Sequence, residues 1–200
     1  CVTYMSNFYL DIIKDRLYTS KPDSLKRRAA QTTMYIILDK LIKILTPMIS
    51  FTAEEIWSAM NHTEKENVES PMLADYPVPN DEWDNKEIAE KWEKIIKVKN
   101  IVAKDLELAR AEKTIGNSLD AKVTIYAEGE EYKFLKENEE LIKLVLIVSG
   151  LEIQENNRKQ EEKLGVKVEH ATGEKCERCW MYNDHLEDGL CPRCKEVLEK

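Results

Sequence analysis

Cys176-Glu177-Arg178-Cys179-Trp180 and Cys191-Pro192-Arg193-Cys194 form two Cys-x-x-Cys knuckles near the end of the chain. Two intervening residues let a tight turn aim both sulfurs of a knuckle at one cation. Four thiolates then complete a tetrahedron, the arrangement zinc takes in closed structural sites. Four of the five cysteines fall within nineteen residues, and that ligand spacing points to a metal site. A four-thiolate zinc keeps no open position for water or substrate, so its expected role is to staple a segment too short to build its own core. Disulfides are the competing use of these cysteines, but no secretory signal marks the chain for an oxidising compartment. Iron in a thiolate cage is a further alternative, and visible absorption separates it from zinc. His185 lies between the knuckles, yet four thiolates already saturate the metal.

Elsewhere, residues able to do chemistry are scattered. His62 and His170 sit in no nucleophile or metal motif, and the carboxylates occur in mixed-charge stretches expected to solvate helix faces. No Gly-rich phosphate loop and no internal repeat is present, and no catalytic residue is expected. Binding is the better lead. Lys26, Arg27 and Arg28 fall in the first turn of a helix if Ser24 caps it, where the helix end already carries partial positive charge. An anionic partner such as a phosphate backbone would explain that choice, and simple screening in water is the alternative. Around the knuckles, Lys175, Arg178, Arg193 and Lys195 offset the charge of the thiolates on one reading, with Trp180 as an apolar cover. On the other, Arg178 meets a base edge, Trp180 stacks on an unpaired base and Arg193 joins them as an RNA contact. Both readings stand on sequence alone.

These residues need elements to position them. At 200 residues the chain has room for one sizeable domain or two small ones. Its 42% hydrophobic content is that of a globular protein, and 34% charged residues suit exposed helices. No apolar run of about eighteen residues exists to span a membrane, and the first residues, Cys1-Val2-Thr3-Tyr4, lack the pattern of a signal peptide. The start without Met, directly in a helical pattern, suggests an excised piece of something larger. The net charge of −8 is unevenly spread, with a local +4 over residues 1–47, −9 over 48–90 and −3 over 91–200. A polyanion can therefore still meet the first helices and the cysteine tail.

Apolar residues at helical spacing predict a helix over about Tyr4–Tyr18. A second runs from the Ser24 cap to about Leu45, with Met34, Ile37, Leu38, Leu41, Ile42 and Leu45 on its apolar face, and Thr46-Pro47 ends it. Thr52 and Glu55 have the spacing of a capping box for a third helix through Trp57 to Met60. Residues 61–84 read as a long irregular connection, with Met72, Leu73, Tyr76 and Trp83 available to pin it down. A fourth helix spans about Lys86–Ala111, with Ile88, Trp92, Ile95, Ile96, Val102 and Leu106 along one face. An antiparallel bundle is the economical way to bury these stripes. After Gly116 the pattern changes to a half-buried strand at Val123, Ile125 and Ala127. A helical stretch over about 130–145 follows, then short strands at Leu151–Ile153 and Val166–Val168, with 156–164 as a charged connector.

Several of these runs are recognisable. Phe8-Tyr9-Leu10-Asp11, Lys14-Asp15-Arg16-Leu17-Tyr18, Arg27-Arg28-Ala29-Ala30-Gln31-Thr32 and Phe51-Thr52-Ala53-Glu54-Glu55-Ile56-Trp57 resemble the C-terminal region of bacterial isoleucyl-tRNA synthetases. So do Ala109-Arg110-Ala111-Glu112-Lys113, Ser118-Leu119-Asp120-Ala121-Lys122-Val123 and the two cysteine knuckles. The resemblance implies a mainly α fold. An antiparallel helical anticodon-binding domain spans 1–115, a small α/β junction domain spans 116–171, and a four-cysteine zinc finger spans 172–200. It implies zinc ligands at Cys176, Cys179, Cys191 and Cys194, anticodon contacts in the Arg178-Cys179-Trp180 run and phosphate contacts at Arg27 and Arg28, to which the charge pattern adds Lys26 and Arg193 as expected RNA contacts. The partner implied is isoleucine tRNA, met at its anticodon stem-loop by a monomeric cytoplasmic enzyme. Neither DNA nor a membrane is expected as a partner. ATP would be used by a catalytic domain this chain lacks. Two other classes share such a cysteine module: DNA-repair glycosylases and zinc-ribbon scaffolds for protein contacts.

Overall fold

The computed structural model describes residues 2–155 and 164–199. It divides into two compact units, Pro22–Asn85 and Cys1–Lys21 with Lys86–Lys200. The charged connector expected at 156–164 lies, apart from Leu164, outside the described residues.

The longer unit starts with a π-helical turn over Val2–Tyr9 that continues as α1 (Leu10–Ile12) and α2 (Lys14–Thr19), close to the span expected for the first helix. Ile12 and Ile13 are its buried apolar residues, and the Phe8 ring meets Trp92 edge-on at 6.0 Å.

In the Pro22–Asn85 unit, Ser24 caps α3 (Leu25–Leu45) as expected, its Oγ accepting the Arg27 N–H at 3.3 Å. The next helix, α4 (Ser50–Ala59), begins earlier than the Thr52–Glu55 spacing suggests and has no side-chain cap. Its first turn is already supplied: Ile49 N–H donates to Leu45 O at 3.0 Å, and the Ser50 hydroxyl donates to Thr46 O at 3.0 Å. Thr52 is thus inside the helix. Ile42, Ala53 and Trp57 form the buried centre of α3 against α4, with Ile56, Val68 and Ala74 packed around them. The connection that follows holds three 3₁₀ turns, Glu64–Glu66, Pro71–Leu73 and Asp81–Trp83. Met72, Leu73, Tyr76 and Trp83 do not pin it, for all four are exposed. Val68, Pro71 and Ala74 do so instead, because the Trp57 indole N–H draws Val68 O to 2.9 Å.

The fourth helix, α5 (Lys86–Ala111), has the expected limits. It buries Ile95, Val98, Val102, Leu106 and Ala109 at steps of three and four residues, one face of a helix. Ile88 is exposed. The sequence pattern suggests a bundle for this face; its packing within this unit is against a sheet strand and a sheet-covering helix. An i, i+3, i+4 stripe is equally suited to both, so the pattern alone could not choose.

The sheet has β1 (Ala121–Ala127) at its centre, β2 (Gly150–Glu155) parallel on one side and β3 (Gly165–His170) antiparallel on the other. Val123 pairs with Leu151 and with Val168, and Ile125 with Ile153 and with Val166. Parallel neighbours need a crossover, and α6 (Gly129–Glu137) and α7 (Glu139–Leu146) provide it. The single helical stretch expected here is broken at Asn138, whose side-chain amide donates to Phe134 O at 2.8 Å. The face of α5 lies on β3 and α7. A two-stranded hairpin, β4 (Glu174–Lys175) with β5 (Tyr182–Asn183), and a short helix α8 (Pro192–Leu198) complete the chain.

Candidate metal centre and nucleic-acid interface

The first knuckle forms the loop of the β4–β5 hairpin, and the second follows it at the start of α8. Glu174 pairs with Asn183 and Lys175 with Tyr182, which brings Cys176 back beside Met181, its N–H donating to Met181 O at 3.0 Å. The first knuckle closes when Trp180 N–H donates to Cys176 O at 2.9 Å, and Trp180 takes φ +63° to do so. The second knuckle enters α8 through Pro192, at a helix start where a missing N–H costs nothing. Its Cys191 N–H donates to Cys176 Sγ at 3.3 Å, tying one knuckle to the other.

All four sulfurs lie within 4.8 Å of one another, and all four cysteines are buried. Cys179 Sγ and Cys191 Sγ are 3.7 Å apart. A zinc–sulfur bond of about 2.3 Å gives a tetrahedron edge of about 3.8 Å, whereas a disulfide needs about 2.05 Å. The spacing suits a shared cation. Proton affinities agree with that donor set. Burial pushes the Cys176 thiol up, but the N–H groups of Cys179, Cys191 and Arg178 outweigh it and bring it down to about 6. Burial pushes Cys179 up to about 12 and raises Cys194 as well. One thiolate is thus ready at neutral pH, and Cys179 and Cys194 need a bound cation to hold their charge. Met181, Leu186 and Leu190 seal the cluster, and His185 is exposed outside it.

Around this centre the basic residues divide. Arg178 is half-buried and donates from Nη1 to Thr19 O at 2.7 Å and from Nη2 to Tyr18 O at 3.4 Å, at the end of α2. Arg193 makes a two-pronged pair with Asp15, at 2.6 and 2.7 Å. Burial pushes the Asp15 carboxyl up, but the Arg193 guanidinium and the Thr19 hydroxyl hold it below the usual carboxylate range. Trp180 is 60% exposed beside the first knuckle. In the other unit, Lys26 and Arg28 are exposed in the first turn of α3, and Arg27 is half-buried there.

Residues outside the cysteine pattern also hold the module. The Ser149 hydroxyl donates to Leu119 O at 2.5 Å and accepts Tyr182 N–H at 2.8 Å, joining hairpin to sheet. His170 meets the Tyr182 ring edge-on at 5.0 Å. Neither these residues nor Asp15 carries a local sequence signal for such a role. Asp15 stands in one of the recognisable runs, but nothing in its spacing points to Arg193, which lies 178 residues away.

The sequence pattern of the anticodon-binding domain of tRNA ligase matches residues 1–125. The chain belongs to this family. Over its whole length it is 50% identical to an isoleucine–tRNA ligase of Caldicellulosiruptor saccharolyticus. It is 46% identical to those of Caldanaerobacter subterraneus subsp. tengcongensis and Carboxydothermus hydrogenoformans. The chain spans 22–23% of the length of these relatives and corresponds to their C-terminal part. The resemblance carried by the helical runs and the knuckles is therefore upheld. The glycosylase and scaffold alternatives find no support in these matches. No helix among the described residues is long and apolar enough to cross a membrane.

Proposed function

We propose that this chain is the tRNA-positioning arm of an isoleucine–tRNA ligase, which grips the anticodon stem-loop of isoleucine tRNA. A catalytic domain elsewhere in the enzyme would join isoleucine to that tRNA with ATP, in the cytoplasm, where free thiols persist. On this reading the arm acts as a monomer. Its parts are a helical anticodon-binding domain over 1–115, a junction domain over 116–171 and a zinc finger over 172–200.

Cys176, Cys179, Cys191 and Cys194 would hold zinc. When bound, the metal supplies folding energy to the finger and offers no open coordination position. The observation that carries the reading is Trp180, a large indole held in the open at φ +63° by a hydrogen bond to Cys176 beside buried ligands. Exposure of so large an apolar ring suits stacking on an unpaired base, worth about 1–3 kcal/mol. Lys26, Arg27 and Arg28 are assigned to phosphate, which supplies affinity without sequence information. Arg178 and Arg193, in the cysteine knuckles, contribute through the contacts they make with α2.

The test is Trp180→Ala in the full-length ligase. Charging of isoleucine tRNA should weaken by roughly tenfold or more, as expected for loss of one stack, while isoleucine-dependent pyrophosphate exchange is unchanged. Equal loss in both reactions, or in neither, would refute the assignment.

A further inference from the structure

Both knuckles carry arginine as the residue before their second cysteine, Arg178 before Cys179 and Arg193 before Cys194. The two side chains converge on a single helical turn, residues 15–19 of α2. Arg178 satisfies the Tyr18 and Thr19 carbonyls, two of the groups a helix end leaves without partners. Arg193 grips Asp15 through both carboxylate oxygens. The Thr19 hydroxyl, itself bonded to Asp15 Oδ1 at 2.9 Å and to Asp15 O at 2.7 Å, closes the turn. Lys21 adds an exposed contact to Glu196 of α8 at 3.1 Å. Each half of the metal cluster is thus fastened separately to one turn of helix, so rotation of the finger would break at least one fastening.

We infer that Asp15 is a positioning residue for tRNA recognition: with the Tyr18 and Thr19 carbonyls it fixes the orientation of the finger through Arg178 and Arg193. This rests on the reading of the finger as an RNA contact. A fork-to-fork arginine–carboxylate pair fixes direction as well as distance, and a recognition group held before its ligand arrives loses less freedom on binding. Arg178 lies two residues from Trp180, so the clamp acts on the indole through a short stretch of backbone. Asp15 touches neither the metal ligands nor the exposed indole. Its effect is on where they point.

The experiment compares Asp15→Asn, Asp15→Glu, Arg193→Gln and the Asp15→Asn/Arg193→Gln double variant in the full-length ligase. Trp180→Ala is run beside them. Asp15→Asn should raise the KM for isoleucine tRNA by roughly tenfold, below the hundredfold that misplacement at a reacting centre can reach. Pyrophosphate exchange and zinc content should stay at wild-type levels. Asp15→Glu, which keeps the carboxylate, should recover most of the loss. The double variant should be no worse than the poorer single variant, the mark of two residues acting as one pair. Amide hydrogen exchange over residues 174–194 should quicken in Asp15→Asn. An unchanged KM and unchanged exchange in Asp15→Asn would overturn the inference, as would an equal loss in pyrophosphate exchange. If Trp180→Ala has no effect on charging, the RNA reading fails, and the hydrogen-exchange comparison still decides whether the clamp exists.

Discussion

Lys43 and Asp39 stand one turn apart on α3 with Nζ 2.9 Å from Oδ1, and both side chains are almost wholly buried. Lys40 reaches the other carboxylate oxygen at 3.1 Å, Glu66 joins Lys43 at 3.1 Å, and the Lys43 ammonium lies 5.7 Å from the Trp57 ring centre. The opposed charges make burial tolerable, and loss of one leaves the other desolvated and alone. Asp39→Ala should therefore destabilise the Pro22–Asn85 unit by about 3–5 kcal/mol, while Asp39→Leu with Lys43→Met should cost far less. Urea unfolding of the single and double variants, followed by Trp57 fluorescence, makes the comparison.

The same cluster sets a pH window. For Asp39, burial pushes the carboxyl up, but the hydrogen bonds from Lys43 and Lys40 prevail and its pKa in the folded chain lies below normal. Its stabilisation is fully present above the unfolded value of about 3.9 and is lost as pH falls through the lower folded value. For Lys43, burial pulls the ammonium down, but the bonds to Asp39 and Glu66 prevail and raise it. That contribution is complete below about 10.4 and is lost as pH rises through the higher folded value. Melting temperature against pH should be flat for this contribution between about 5 and 9 and fall on both sides, and the Asp39→Leu/Lys43→Met variant should lose most of both falls. Retention of both falls in that variant would place the titration elsewhere.

That polar pair also marks where sequence reading stops. Helix ends were legible wherever the signal is local, as with the Ser24 cap and the limits of α5, and strand alternation placed β1. The gathering of the four cysteines into one cluster that could hold a metal ion was legible because their spacing is itself the chemistry. Hydrophobicity could not mark Asp39 and Lys43 as interior, since each is buried only on account of the other. Nor could it show that Met72, Leu73, Tyr76 and Trp83 are exposed while Val68 is drawn in by the indole N–H of Trp57. Arg178 and Arg193 read from the knuckles outward, toward RNA. Their partners in α2 come from the opposite end of the chain, a distance no local pattern spans.

Metal removal should act locally. The cysteine module packs little apolar surface beyond Met181, Leu186 and Leu190 around its cysteines, so its order should depend on a bound cation. The purified chain should carry about one zinc and no visible absorption band. Chelation should release four thiols to a disulfide reagent in step with the metal, while helicity measured at 222 nm falls only slightly. Cys176→Ser should lose the metal at dilutions where the parent retains it. A coloured protein would identify iron, and a metal-free protein with four inaccessible thiols would show a finger folded by packing alone.

Gly173 stands at the entry to the hairpin with φ +84°, and a side chain there has no room. A Cβ would lie 2.3 Å from Asn183 O, 2.5 Å from its carbonyl carbon and 2.8 Å from Asp184 N, all backbone atoms of the facing chain. Relief therefore requires β4 and β5 to part, which also moves Tyr182 off Ser149 and Cys176 away from Met181. Gly129 provides the control, since its φ of +58° carries the same backbone preference but a Cβ there meets nothing within 4 Å. Gly129→Ala should cost about 1–2 kcal/mol, the usual penalty for a left-handed alanine. Gly173→Ala should cost more and should also lower zinc retention, because Cys176 directly follows the displaced strand. Equal stability losses with full zinc retention in both variants would mean that the hairpin accommodates the methyl group without disturbing the metal ligands.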